Sequence, residues 1–163
     1  MSPFSFTLLF AIAVLAMVVT KLWLASRQIR FVAAHRNGVP AQFSATIPLT
    51  AHQRAADYTV ERTRLTMLEI VVSAAVLVGL TLLGGVGALD TLLTGWLGRG
   101  YGQQVALVAA VLAITGVIDV PFEYYRQFGI EQRFGFNRMT KRLFFTDMLK
   151  NTLLGAVLGL PLL

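Results

Sequence analysis

Four stretches of this sequence carry almost no charge, and a folding chain must either pack all of them against one another or expose them to lipid. Phe4 to Thr20 is uncharged throughout, and Glu69 is the single charge between Arg64 and Asp90. Gly100 to Ile118 is again uncharged, and so is Asn151 to Leu163, where the sequence stops. A membrane-spanning helix needs ~20 residues, at ~1.5 Å rise, to cross ~30 Å of hydrocarbon. The first three stretches meet that length, whereas the fourth offers roughly 20 Å by the same rise. Mutual packing in water would need a polar surface that is missing. Only 13% of the 163 residues are charged and 56% are hydrophobic, against roughly 25% charged in an ordinary soluble domain. The expected fold is therefore an all-α integral membrane protein. It is read as a multi-span helical bundle with spans at about 4–25, 65–88, 103–120 and 148–163. The fourth helix looks truncated, so the natural chain is expected to continue beyond Leu163.

Cationic residues set the expected orientation. Seven Lys and Arg residues lie between the first and second stretches, one (Arg99) between the second and third, and six between the third and fourth. Thirteen of fourteen thus fall on alternate connections, 26–64 and 121–147 with their flanks, which places them on one face. The positive-inside rule makes that face cytoplasmic and the N-terminus external. No positive residue precedes the first stretch and no small-residue cleavage site follows it, so it reads as a retained anchor instead of a signal peptide. The same distribution explains the net charge of +6 without a nucleic-acid partner; the expected partner of the surface is the lipid bilayer. Eleven arginines against three lysines suggest a GC-rich bacterial genome, and hence a bacterial inner membrane.

Between the spans, Asn37-Gly38-Val39-Pro40 marks a turn, and Thr50 is expected to cap a polar helix starting near Ala51. Seven glycines between 84 and 104 predict a tight or irregular external connection. Ala106, Ala109, Ala110, Ala113 and Gly116 share a helix face, and Gly155 and Gly159 repeat that small-residue spacing, as close helix packing in lipid requires.

Candidates for chemistry are few. Absence of cysteine removes disulfides, thiolate zinc sites and iron–sulfur clusters. His35 and His52 lie several helical turns apart with no HExxH, so no helix presents two imidazoles to zinc. No phosphate-cradling loop or nucleophile elbow is present. Glu69 is an intramembrane carboxylate, which either serves a wet functional cavity or snorkels towards Arg62 or Arg64. Asp119, followed by Pro121, reads as an interfacial helix end.

Residues 125–150 combine aromatics, charges and a Gly-Phe-Asn turn at fixed spacing: Tyr125, Phe128, Ile130, Glu131, Gly135, Phe136, Asn137 and Thr140, then Phe144, Phe145, Asp147 and Lys150. This pattern resembles the N-terminal region of the membrane zinc metallopeptidases typified by CAAX prenyl protease type 1. Looser agreement reaches back to Thr115-Gly116, to Asp57-Tyr58 and to Glu61 through Leu65. Gln132 stands where the family often has a second acidic residue, which weakens any role for that position. The resemblance implies helices that wall an intramembrane chamber and position a peptide or membrane-protein substrate. It also implies a zinc-binding HExxH helix and a glutamate ligand in a downstream protease domain, so this chain binds no cofactor and is inactive alone. By residue type, Gly135 suits a tight turn, Phe136 an apolar slot and Asn137 bonds to the turn's own backbone. Glu131 suits pairing with Arg133, Arg138 or a downstream residue. The rival readings are a non-enzymatic membrane scaffold complete at its present length and, more weakly, a small transporter, for which Glu69 is the only hint.

Overall fold

A computed structural model describes residues 2–159; the last four positions of the expected fourth span lie outside the described residues. Among those described the fold is helical, with no strand: α1 (Pro3–Ala34), α2 (Leu49–Thr81), α3 (Gly85–Leu97), α4 (Tyr101–Tyr125), a π-turn (Arg126–Glu131), the single turn α5 (Gln132–Phe134) and α6 (Lys141–Gly159). The π-turn and α5 prolong α4, giving a continuous helical rod from Tyr101 to Phe134. That rod, α1 and α2 are each long and apolar enough to cross a membrane. The outer surface of the bundle carries Phe4, Leu83, Trp96, Val117 and many other exposed large apolar side chains, with Trp96 86% exposed. A surface of this kind is stable only under lipid.

α1 begins behind Ser2, whose hydroxyl accepts from the Ser5 amide at 3.1 Å, with Pro3 at the first helical position, where its missing N–H costs nothing. At ~1.5 Å per residue it is about 48 Å long, so its last turns pass beyond the apolar layer. α2 returns beside it, with the buried Ala25, Ala56 and Leu65 placed along the two helices. The polar ends are locked together. Arg36 forks onto Asp57, Nε to Oδ1 at 2.7 Å and Nη2 to Oδ2 at 2.8 Å. Those bonds hold the Asp57 carboxyl below the ordinary carboxylate range. His52 Nε2 bonds the His35 carbonyl at 3.0 Å, so both histidines close the hairpin.

Several local expectations are corrected. Thr50 is not a cap: α2 starts at Leu49 behind Pro48. Much of the expected loop 26–64 is helical, because the amphipathic ends of α1 and α2 continue past the membrane core. The glycine-rich connection is the helix α3 rather than an irregular loop. Most of its glycines sit at the borders, with Gly84 left-handed at φ 80° and Gly98 at φ 71°, leaving an apolar body that helix formation satisfies. Gly85 must be glycine, since a Cβ there would lie 2.7 Å from the Gly79 carbonyl oxygen. Finally, Asp119-Pro121 does not end a helix. α4 runs through Pro121, a tolerance typical of apolar helices whose freed backbone groups are re-satisfied by local adjustment, here followed closely by the π-turn. The expected loop 121–147 shrinks to residues 135–140.

Candidate functional site

Where the Tyr101–Phe134 rod leaves the apolar layer, its end is pinned onto the polar half of α2. In the π-turn, the wider i→i+5 winding admits an extra residue per turn and re-aims the side chains that follow. Ile130 points inward and is 1% exposed. Arg126 reaches across to Glu69 of α2 and, on its own helix, to Glu123. Glu69 therefore pairs neither with Arg62 nor with Arg64; its partner comes from another helix. Arg126 Nε is buried and has no partner among the described residues.

Seven residues later Arg133 Nη1 bonds Glu61 Oε1 of α2 at 2.8 Å, and Arg54 Nη2 donates to the Phe134 carbonyl at 2.5 Å. Tyr58 meets two rings edge-on, Phe134 at 5.5 Å and Phe136 at 4.9 Å between centroids. Tyr58 and Glu61, which carried the weaker part of the sequence pattern, thus lie against the stronger part, while Asp57 beside them is paired with Arg36. Arg54 and Arg126 were not singled out from the sequence. The available signal was the spacing of α2's charges: Arg54, Asp57, Glu61 and Glu69 recur at three-, four- and eight-residue intervals, which is one helix face.

The turn after α5 is built from its own atoms. Gly135 adopts φ 77°, and a Cβ there would stand 3.0 Å from Arg54 Nη2. The Phe136 amide donates to the Glu131 carbonyl at 2.8 Å, and the Asn137 amide to the same oxygen at 3.2 Å. Asn137 Oδ1 accepts from the Met139 amide and from Gln127 Nε2, both at 2.7 Å. Phe136 does not fill an apolar slot; it leans on Tyr58 and stays 53% exposed. Glu131 contributes its carbonyl, while its carboxylate forms no ion pair among the described residues, because Arg133 is taken by Glu61. Thr140 opens α6, its Oγ1 accepting from the Leu143 amide at 3.2 Å.

α6 is tied to the rod by aromatic contacts: Phe144 meets Tyr124 at 6.0 Å and Phe128 at 5.6 Å. Asp147 faces the cleft between α4 and α6, which Asp119 and Glu123 also line. A second groove of about 600 Å³ runs between α2 and the rod. Glu61, Arg64 and Arg133 form its polar part, and Leu65, Leu68, Phe122 and Tyr125 its apolar walls. Among the described residues no group of three His, Asp or Glu side chains is placed to hold a metal ion.

A model of the family described as CAAX prenyl protease N-terminal, five membrane helices, matches residues 28–163. The CAAX prenyl protease 1 homolog of Dictyostelium discoideum is 44% identical over 55 residues, which is 34% of this chain and 13% of that protein. CAAX prenyl protease 1 of Saccharomyces cerevisiae is 34% identical over 61 residues, 37% of this chain and 14% of that one. The fold is shared with the crystal structure of S. mikatae Ste24p at a TM-score of 0.82 and 20% identity, covering 99% of this chain and 38% of that one. The matched stretches thus amount to about one seventh of the curated relatives.

Proposed function

We infer, from the premise that this chain belongs to the CAAX prenyl protease N-terminal family, that it forms part of the wall of a membrane-embedded zinc metalloendopeptidase and guides substrate towards the catalytic part. The observation that carries this reading is the groove between α2 and the Tyr101–Phe134 rod. Its polar rim carries Glu61, Arg64 and Arg133, and its apolar interior carries Leu65, Leu68, Phe122 and Tyr125. A peptide with a polar backbone and an apolar flank suits such a lining. The turn at Gly135–Asn137 stands beside it, fixed by bonds that its own residues make.

In this reading Tyr125, Phe128, Ile130, Gly135, Asn137 and Thr140 hold the groove's shape. Glu131, Phe136 and Asp147 keep polar or aromatic surface for the downstream protease domain or the substrate. In this reading the zinc chemistry belongs to the downstream protease domain that the family resemblance implies. The cationic connections face the cytoplasm, the N-terminus is external, and the membrane is the bacterial inner one. There the substrate class is membrane proteins undergoing turnover. A non-enzymatic scaffold is the weaker reading, because the family match covers most of the chain.

The test uses the full-length protein with a quenched peptide substrate. Asn137→Ala and Glu131→Gln should each lower kcat/KM at least severalfold at equal protein abundance. Unchanged turnover in both would refute the assignment, and a stop codon in place of an HExxH-encoding stretch after Leu163 would favour the scaffold.

A further inference from the structure

A further groove, of about 570 Å³, opens between α1 and α2. Its polar lining is one-signed. Lys21 and Arg62 face it together with Gln28 and Tyr58, and no carboxylate lines it. Lys21 ends the first uncharged stretch, and Arg62 stands just before the second begins. Both cations therefore sit at the same boundary of the apolar layer, the depth of lipid headgroups.

A lysine or arginine at that depth is ordinarily neutralised by a carboxylate or snorkels to water. The neighbouring carboxylates of α2 are committed elsewhere: Glu61 to Arg133 and Glu69 to Arg126. Among the described residues neither Lys21 nor Arg62 forms an ion pair. The one hydrogen bond from the Arg62 side chain reaches Tyr58 Oη at 3.4 Å, which leaves the phenol's own proton to donate. Towards the apolar stretch of α2 the lining ends in Ile70.

We propose that this groove is a binding site for an anionic phospholipid. Lys21, Arg62 and the Tyr58 hydroxyl take the phosphate, and one acyl chain follows the seam past Ile70. Charge complementarity selects the occupant. A zwitterionic headgroup would bring a cation of its own to a site that already holds two, and an apolar segment alone would leave both unpaired.

The experiment is native mass spectrometry of the delipidated full-length protein, titrated with phosphatidylglycerol or with phosphatidylcholine of the same acyl chains. One phosphatidylglycerol should bind with a preference of about 20-fold or more. Each basic residue near an anionic lipid surface is worth roughly a fivefold change in affinity. Lys21→Gln and Arg62→Gln should therefore each cost about fivefold, and together most of the preference. The exchange pair Lys21→Arg with Arg62→Lys should retain it, as should Arg30→Gln, on α1 outside the groove. Equal binding of the two lipids by the unaltered protein would overturn the proposal. So would an undiminished preference in the Gln variants, or a photo-reactive side chain at position 66 crosslinking a later part of the polypeptide instead of lipid.

Discussion

Replacing Arg126 with glutamine tests how the rod is fastened to α2. The guanidinium joins Glu69 on one helix to Glu123 on another, and the Arg126 and Glu69 side chains keep only 22% and 21% exposure. Two unit charges ~4 Å apart attract by ~4 kcal/mol at an effective dielectric of ~20, and desolvation offsets part of that. Breaking a fully buried pair costs about 3–5 kcal/mol, and an exposed pair about 0–1 kcal/mol. At one-fifth exposure the expected loss for Arg126→Gln is about 2–3 kcal/mol, a ~30- to 150-fold shift in the unfolding equilibrium. Glu69→Gln should cost less, about 1 kcal/mol, because Arg126 keeps Glu123. In the double variant only Glu123, whose side chain is half exposed, loses its partner, and the two amides can bond each other, so its loss should resemble that of Glu69→Gln alone. The measurement is a double-mutant cycle by steric-trap unfolding in bicelles. Coupling of about 2–3 kcal/mol is expected; losses that add within ~0.5 kcal/mol would show that the bridge does not fasten these helices.

Gly135→Ala forces a Cβ into the left-handed region and against Arg54, so it should destabilise by about 1–2 kcal/mol, with Gly135→Asn milder; thermal unfolding in detergent compares them. Asn137→Ala removes the acceptor shared by Gln127 and Met139 and should cost about 1–2 kcal/mol, seen as faster proteolysis at 135–140, whereas Asn137→Asp keeps the acceptor and most of the resistance. The Asp57 carboxyl is held below its ordinary range by Arg36. The hairpin's extra stability is therefore present above the usual carboxylate range and is lost as pH falls through the lowered value; Asp57→Asn should flatten that acid limb in a pH series of melting curves. Because the chain has no cysteine, Asn37→Cys and Arg138→Cys can be labelled singly with an impermeant maleimide, and both should react from the same face of inverted vesicles; reaction from opposite faces would overturn the charge-based topology.

The helical membrane fold was legible because charge exclusion is a strong signal: α1, α2 and the body of α4 all contain the uncharged stretches. The ends of those helices were not legible. Charge marks where lipid stops, but a helix stops only where its backbone bonds do, and α1 and α2 carry amphipathic turns well past Lys21 and before Leu65. α3 was hidden for a related reason. Glycine lowers helix propensity in water, yet the glycines at 84, 85, 98 and 100 frame the helix instead of interrupting it. The π-turn had no visible cause in the sequence; Pro121 lies five residues before it, and the reading of proline as a terminator follows soluble-protein behaviour. Glu69 was conspicuous as an intramembrane carboxylate, but its partner lay 57 residues away, beyond the reach of local spacing.

The motif itself divides by what its residues touch. In lipid, apolar surface gives helices little reason to prefer one another, so polar and small-residue contacts specify their packing. Arg126, Arg133, Ile130, Gly135 and Asn137 spend their bonding or shape on α2 and on the turn, and they account for why the rod ends where it does. Half of Phe136 is open, and the Glu131 carboxylate is unpaired among the described residues. Internal packing explains the first set and leaves the second unused. Side chains held at a fixed position beside a groove, with polar or aromatic surface still to satisfy, fit the wall role proposed above. The motif is therefore better understood as a fastening with a contact surface attached than as a fragment of a catalytic centre.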